Sequence, residues 1–162
     1  MADANVLIDY SKSGDLAVLS LVVEHVGPLA VVSTVFDEVH ELDANDCARL
    51  GIGIVEPTTE QLERARCVES KVSFNDRVCL VVCRETGWTC VTNDRALQRL
   101  CRQQGVAARF GLGLLLDLAT AGAITRRQAE AVARRIQVRN PFHINERVVA
   151  RFVVALDRAL RN

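Results

Sequence analysis

The sequence predicts an α/β fold with a central parallel sheet covered by helices on both faces, followed by an all-helical segment. Three observations carry this reading. Short apolar runs alternate with stretches of helical periodicity as far as Phe110, glycines fall where helices should stop, and beyond Phe110 the strand signals cease while the helical ones continue. The 162 residues, 49% of them apolar, match one globular domain and suffice for a continuous core. We therefore read 1–162 as one domain, with 1–110 as its core and 111–162 as a C-terminal helical extension.

In chain order, helical spacing predicts helices over Asp15–His25, Thr34–Leu42, Glu60–Val68, Asp76–Thr86 and Asp94–Gln104. Short apolar strands are predicted between them at Leu29–Val32, Ile52–Val55 and Trp88–Val91. Strands separated by helices favour parallel pairing, because only a crossover returns the chain to the same edge. Gly87 and Gly105 stand just past two of the helices, where a left-handed cap is wanted, and VAARF after Gly105 supplies a last short strand. Three helix signals follow, GLGLLLDLATAG, TRRQAEAVARRIQ and NERVVARFVVALDRAL, the last two divided by the breaker at Asn140 and Pro141. The final helix sets Val148, Val149, Phe152, Val153, Leu156 and Leu160 on one broad face, with Arg147, Arg151, Arg158 and Arg161 largely on the other. Such a stripe is core by default; part of it is also a candidate surface for a second copy, giving a homodimer, or for a small partner protein.

No apolar run approaches the roughly 18 to 20 residues that span a bilayer, and the N-terminal residues lack the basic-then-apolar pattern of a signal peptide, so a cytoplasmic protein with no membrane partner is expected. The six cysteines include no C-x-x-C pair and no histidine at zinc-ligand spacing, and read as reduced core thiols. Cys79 and Cys83, four apart, can face one another on a helix, but two thiols do not make a metal site. The net charge of zero conceals a segregation: residues 1–76 hold 14 acidic against 5 basic side chains, and residues 77–162 hold 6 against 15. Of the 20 basic residues 18 are arginine, whose fork suits phosphate. A solvated Arg-rich helical surface accounts for this, and so does an acidic pocket with a basic rim for a nucleic-acid backbone.

Four acids fall at or near element ends: Asp3 in DANVLID, Glu38 in STVFDEVHEL, Asp76 in VSFNDRVCLVV and Asp94 after WTCVTN. Singly, each has an ordinary role. Asp76 completes a Ser73-x-x-Asp76 capping box, Asp94 is a helix N-cap, Glu38 is a solvated helix residue beside Asp37 and Glu41, and Asp3 belongs to a terminus. Brought together, such carboxylates repel one another and require a cation, for which hard oxygen donors select Mg²⁺ or Mn²⁺. Arg95, Arg99 and Arg102 share a helix face directly after Asp94 and are the best candidates for the basic rim that would bind RNA phosphates.

Taken together, DANVLID, STVFDEVHEL and VSFNDRVCLVVCRETGWTCVTNDRALQRLCRQQGV resemble the PIN-domain family of metal-dependent ribonucleases, over Asp3 to about Phe110. The resemblance implies a three-layer α/β/α domain in which Asp3, Glu38, Asp76 and Asp94 form the catalytic acidic set, Asp3, Asp76 and Asp94 being metal ligands. It assigns Asn5 and Thr92 to the polar positions that orient those carboxylates. It further implies an RNA substrate and, for many bacterial proteins of this kind, the role of toxin in a toxin/antitoxin pair, with a small antitoxin as partner. Two departures stand out. Only Met1 and Ala2 precede Asp3, where the family has a central strand, and Asn93 occupies a position where many relatives carry a further acid, which would reduce the charge of the site. Other readings are a catalytically weak RNA-binding or scaffold protein of the same fold, and a phosphatase or phosphoacceptor on another α/β fold, for which Lys12 and Lys71 are the only lysines.

Overall fold

Residues 1–3 hold the sheet of this protein together. The computed structural model describes residues 1–161. Strand β1 (Ala30–Val32) pairs in parallel with β2 (Gly53–Val55), and β3 (Cys90–Val91) pairs in parallel with β4 (Ala108–Arg109). Between the two pairs lies the start of the chain. The Ala2 N–H donates to Ala30 O at 2.6 Å, Met1 O accepts from the Val91 N–H at 2.8 Å, and the Asp3 N–H donates to Val91 O at 2.9 Å. Ala2 and Val91 form a parallel bridge. The central-strand position before Asp3 is therefore occupied by a very short segment, bridged at Ala2. Its brevity is tolerated because Met1 and Ala2 are themselves buried and its backbone is bonded to both neighbours.

Helices α1 (Ala4–Lys12), α2 (Ala17–His25), α3 (Ser33–Phe36), α4 (Ala44–Leu50), α5 (Thr59–Arg66), α6 (Phe74–Thr86) and α7 (Arg95–Gln103) complete the first 110 residues, and α8 (Leu112–Thr120), α9 (Arg126–Arg139) and α10 (Glu146–Ala159) form the extension. Helices α3, α5 and α7 pack on or beside α6, whereas α1, α2, α8, α9 and α10 form a second group, giving a three-layer α/β/α arrangement with C-terminal helices. The run Val78–Cys83 is buried throughout, as a helix clamped between the sheet and α5 requires. Gly87 caps α6 at φ 72°, a left-handed conformation that a side chain would strain.

Two departures from the sequence reading matter for the site. The helix expected over Thr34–Leu42 ends at Phe36, and Glu38 sits in the turn beyond it. This stretch of Thr34, Val35, Asp37 and Val39 is rich in residues that weaken helices, and burial of Val35, Val39 and Leu42 holds it as a tight turn against the core. In the other direction, DANVLID is mostly helix: Asp3 caps α1, whose Val6, Leu7 and Tyr10 are buried. Helix α4, with only Cys47 buried, was also not expected; its signal is the reciprocal cap of Asp43 and Asp46.

The extension grips the first helix. The Tyr10 hydroxyl donates to Gly111 O at 3.1 Å, the Asn140 amide donates to Asp9 Oδ1 at 2.8 Å, and Arg135 makes a forked pair with Asp15 at 2.9 and 2.5 Å. Arg126 and Arg134 are likewise engaged, with Asp157 and Glu146, so much of the basic charge of α9 is neutralised locally. All six cysteines are reduced; five are buried, while Cys67 is exposed rather than in the core. No described helix is long and apolar enough to cross a membrane.

Candidate active site

Asp3 leaves the short central strand and enters α1, so its side chain lies at the C-terminal end of the sheet. It is 4% exposed. One oxygen accepts from the Ala4 N–H at 2.8 Å; the other accepts from the Thr92 hydroxyl at 2.6 Å and from the Asn5 amide. Burial pushes the carboxyl up to about 6, with the Asp76 charge adding to the rise, against the opposing pull of Thr92, the Ala4 N–H and Asn5.

Asp94 follows β3 and caps α7. Its Oδ1 accepts from the N–H groups of Ala96 and Leu97 at 2.5 and 3.3 Å, which leaves Oδ2 without a hydrogen bond from any described residue. Asp76 stands in the first turn of α6, in the capping box that its spacing from Ser73 predicts: Ser73 Oγ accepts from the Asp76 N–H at 3.1 Å, and Asp76 Oδ2 accepts from the Ser73 N–H at 3.0 Å. Burial raises its pKa first, and the charges of Asp94 and Glu38 raise it further against the two Ser73 bonds. Glu38 Oε1 accepts from the Asn75 amide at 2.5 Å, which ties the turn after α3 to the start of α6. Asp76 thus lies within electrostatic reach of Asp3, Asp94 and Glu38, and four separate segments deliver acids to one end of the sheet.

Asn5 and Thr92 are placed to orient these carboxylates. Beyond its bond to Asp3, Thr92 Oγ1 accepts from the Asp94 N–H at 3.0 Å, joining the two acids through one hydroxyl. Asn5 Oδ1 accepts from the Asn93 N–H at 2.9 Å. Buried Gln98 donates to Thr92 O at 2.8 Å and fixes the same turn, a role with no signal in the sequence. The donor set fits a hard divalent cation: oxygen ligands only, net negative, one of them buried. Among the described residues, Cys79, Cys83 and Cys90 are the only three metal-ligating side chains whose ligand atoms all lie within 4.8 Å of one another, β3 bringing the third thiol to the pair on α6; no three of the four acids gather that closely.

The Asn93 side chain is engaged away from the acids: Nδ2 donates to Asp9 Oδ2 at 2.7 Å, and Oδ1 accepts from the Gly111 N–H at 2.9 Å. Asp9 is buried and its pKa raised, chiefly by that burial, with Asn140 and Asn93 opposing. An acid at position 93 would face another carboxylate. Asn93→Asp is expected to destabilise the protein by about 3 kcal/mol at pH 7.5, and by less below pH 5 where one carboxyl regains a proton to donate. Thermal melts at the two pH values read this directly; equal melting of variant and wild type at pH 7.5 would contradict it.

Arg95, Arg99 and Arg102 are all exposed, and none is used in an ion pair among the described residues. Arg95 borders a shallow cavity of about 320 Å³ that it shares with Asn93, Asp94, Phe142, His143 and Asn145. Lys12, by contrast, is paired with Glu41 at 3.0 Å, so it is already occupied by a carboxylate that a phosphoacceptor site would need it to leave.

Residues 30–103 match the family model of the PIN domain, a segment that carries Glu38, Asp76, Thr92 and Asp94 and leaves Asp3 and Asn5 outside. No curated protein and no solved structure matches the chain.

Proposed function

Because the chain belongs to the PIN-domain family, whose members are generally nucleases using divalent metal ions, we propose that this protein is an Mg²⁺- or Mn²⁺-dependent endoribonuclease. The observation that supports the reading is that acids from four segments stand within electrostatic reach of Asp76 at the C-terminal end of the sheet, with Asp3 buried and its pKa raised by that burial. A divalent cation bound by Asp3, Asp76 and Asp94 would acidify an attacking water and neutralise charge on the phosphodiester. The protein's own part is positioning. Thr92 and Asn5 hold the Asp3 carboxylate in one orientation, the α7 cap holds Asp94 through Oδ1, and Asn75 restrains Glu38. Burial of the Asp3 side chain and its bonds to the sheet support a rigid site, which favours catalysis over a scaffold role.

The test is cleavage of a labelled single-stranded RNA by the purified protein across a titration of Mg²⁺ or Mn²⁺, with EDTA as the blank. Metal-dependent internal cuts are expected; intact RNA at every metal concentration would refute the reading. Binding should also depend on salt. If Arg95, Arg99 and Arg102 hold phosphates, replacing all three with Ala should flatten the slope of log affinity against log salt by about two units, since each single-strand contact contributes roughly 0.7. An unaltered slope would show that these arginines only solvate α7.

In the cell we place this activity as the toxin of a toxin/antitoxin pair. An apolar groove lined by Phe110, Leu112, Leu116, Val148 and Phe152, next to Arg95, suits a short amphipathic segment of a small antitoxin. Inducible expression should arrest growth with wild-type protein and not with Asp94→Asn; unimpeded growth would remove the toxin role while leaving the nuclease.

A further inference from the structure

We propose that the turn between α9 and α10 is a nucleobase-stacking ledge of the active site, with the Phe142 ring as its platform for an unpaired base of single-stranded RNA. The proposal rests on the nuclease reading above for its choice of ligand.

A single exposed aromatic residue is unremarkable on a protein surface. Phe142 is 85% exposed, but its setting is what singles it out. The turn that bears it is held at both ends. The Asn140 N–H donates to Ile136 O at 2.8 Å and its amide to Asp9, the His143 N–H donates to Asn140 Oδ1 at 3.3 Å, and the Ile144 N–H donates to Asn140 O at 2.9 Å. Ile144 is fully buried, and Asn145 caps α10 through the Val148 N–H. With Ile144 fixed inward, Phe142 is fixed outward. The backbone that bears the ring is thereby fixed, so a ligand that stacks on Phe142 has only the side chain to order.

The second observation is what lies beside it. Phe142 and His143 line the cavity that Asp94 and Arg95 also border, so the ledge adjoins one of the four candidate acids. His143 and Phe142 meet at 84° with ring centroids 4.8 Å apart, and one such neighbour covers at most one face of the exposed Phe142 ring. The Asn145 side-chain oxygen is used in the cap, leaving its amide group to donate to a base edge; His143 offers a second polar group, and Arg95 a phosphate contact. Aromatic platform, polar edge groups and arginine beside a hydrolytic centre make a subsite for one nucleotide adjoining the scissile bond. A duplex cannot use it, because its bases are stacked on one another.

The experiment uses two readouts. In kinetics on single-stranded RNA, Phe142→Ala should raise KM about tenfold with kcat within about twofold, and Phe142→Tyr should restore it, as loss and return of one stacked base predict. In binding, Phe142→Trp placed in a Trp88→Phe background gives a single fluorophore at the ledge; an RNA octamer in EDTA should quench it, and the same sequence as a duplex should not. Quenching without any cleavage by wild-type protein would keep the ledge and overturn the nuclease. A silent reporter, or equal quenching by the duplex, overturns the ledge whatever the cleavage assay gives. Unchanged KM in Phe142→Ala with a silent reporter assigns the exposed ring to a protein partner instead.

Discussion

Asp94→Asn is expected to lower RNA cleavage by about 100-fold or more while leaving the melting temperature of the metal-free protein equal or higher. The two effects separate because the two oxygens of Asp94 do different work. Oδ1 caps α7 through Ala96 and Leu97, and the amide oxygen of Asn can accept the same bonds. Oδ2 takes no bond from a described residue, and there the substitution replaces a charged ligand atom with a donor that cannot bind a cation. Removing the charge also relieves Asp76, whose pKa Asp94 helps to raise. Single-turnover cleavage with Mn²⁺ and a melt in EDTA check the two halves. Cleavage within threefold of wild type would remove Asp94 from the site.

The metal-free protein should lose stability as pH rises from about 4 to 6. Asp3 has a folded-state pKa of about 6, above the value near 3.9 of an unfolded chain, so in that interval the folded state binds more protons than the unfolded one. Its contribution is most favourable below the unfolded pKa and is withdrawn by the time the folded carboxyl has ionised. A shift of this size corresponds to about 3 kcal/mol, and Asp76, also raised, acts in the same direction. A bound cation reverses the sign of the argument because it favours the ionised carboxylates. Saturating Mn²⁺ should therefore raise the melting temperature at pH 7.5 by about 5 to 10 °C and have little effect at pH 4.5. A metal effect of equal size at both pH values would show that the ion binds away from Asp3 and Asp76.

What the sequence disclosed were features written in neighbouring residues. The alternation of strands and helices, the Ser73 and Asp76 box, the left-handed cap at Gly87 and the capping position of Asp94 each need only a few residues to be recognised. Features that join distant segments were illegible. Nothing around Asn93 announces that its amide answers Asp9, 84 residues earlier, or that Asn140 answers the same carboxylate across 131. The third thiol of Cys79, Cys83 and Cys90 is added by the approach of β3 to α6, which spacing along the chain does not encode. Glu38 was identified as a candidate but placed in a helix; local propensity had already lost there to the burial of Val35 and Val39. Position 142 gave no signal because an exposed Phe in a turn is judged only by what surrounds it.

The pairing of the first residues with β3 also bears on how the molecule is made. Met1 to Asp3 leave the ribosome long before Val91, yet their bonds to Val91 and Thr89 span some 88 residues. The β1–β2 pair can form early, since its partners are about 23 residues apart. The join to β3 must wait, and it carries the larger loop-closure cost. Asp3 and Asp94 lie on opposite sides of that joint, so a nascent chain holds its acids apart until the sheet closes. Assembly of the acidic centre therefore waits until synthesis has passed β3, since Asp94 and the Val91 partner of Asp3 both lie at or beyond it.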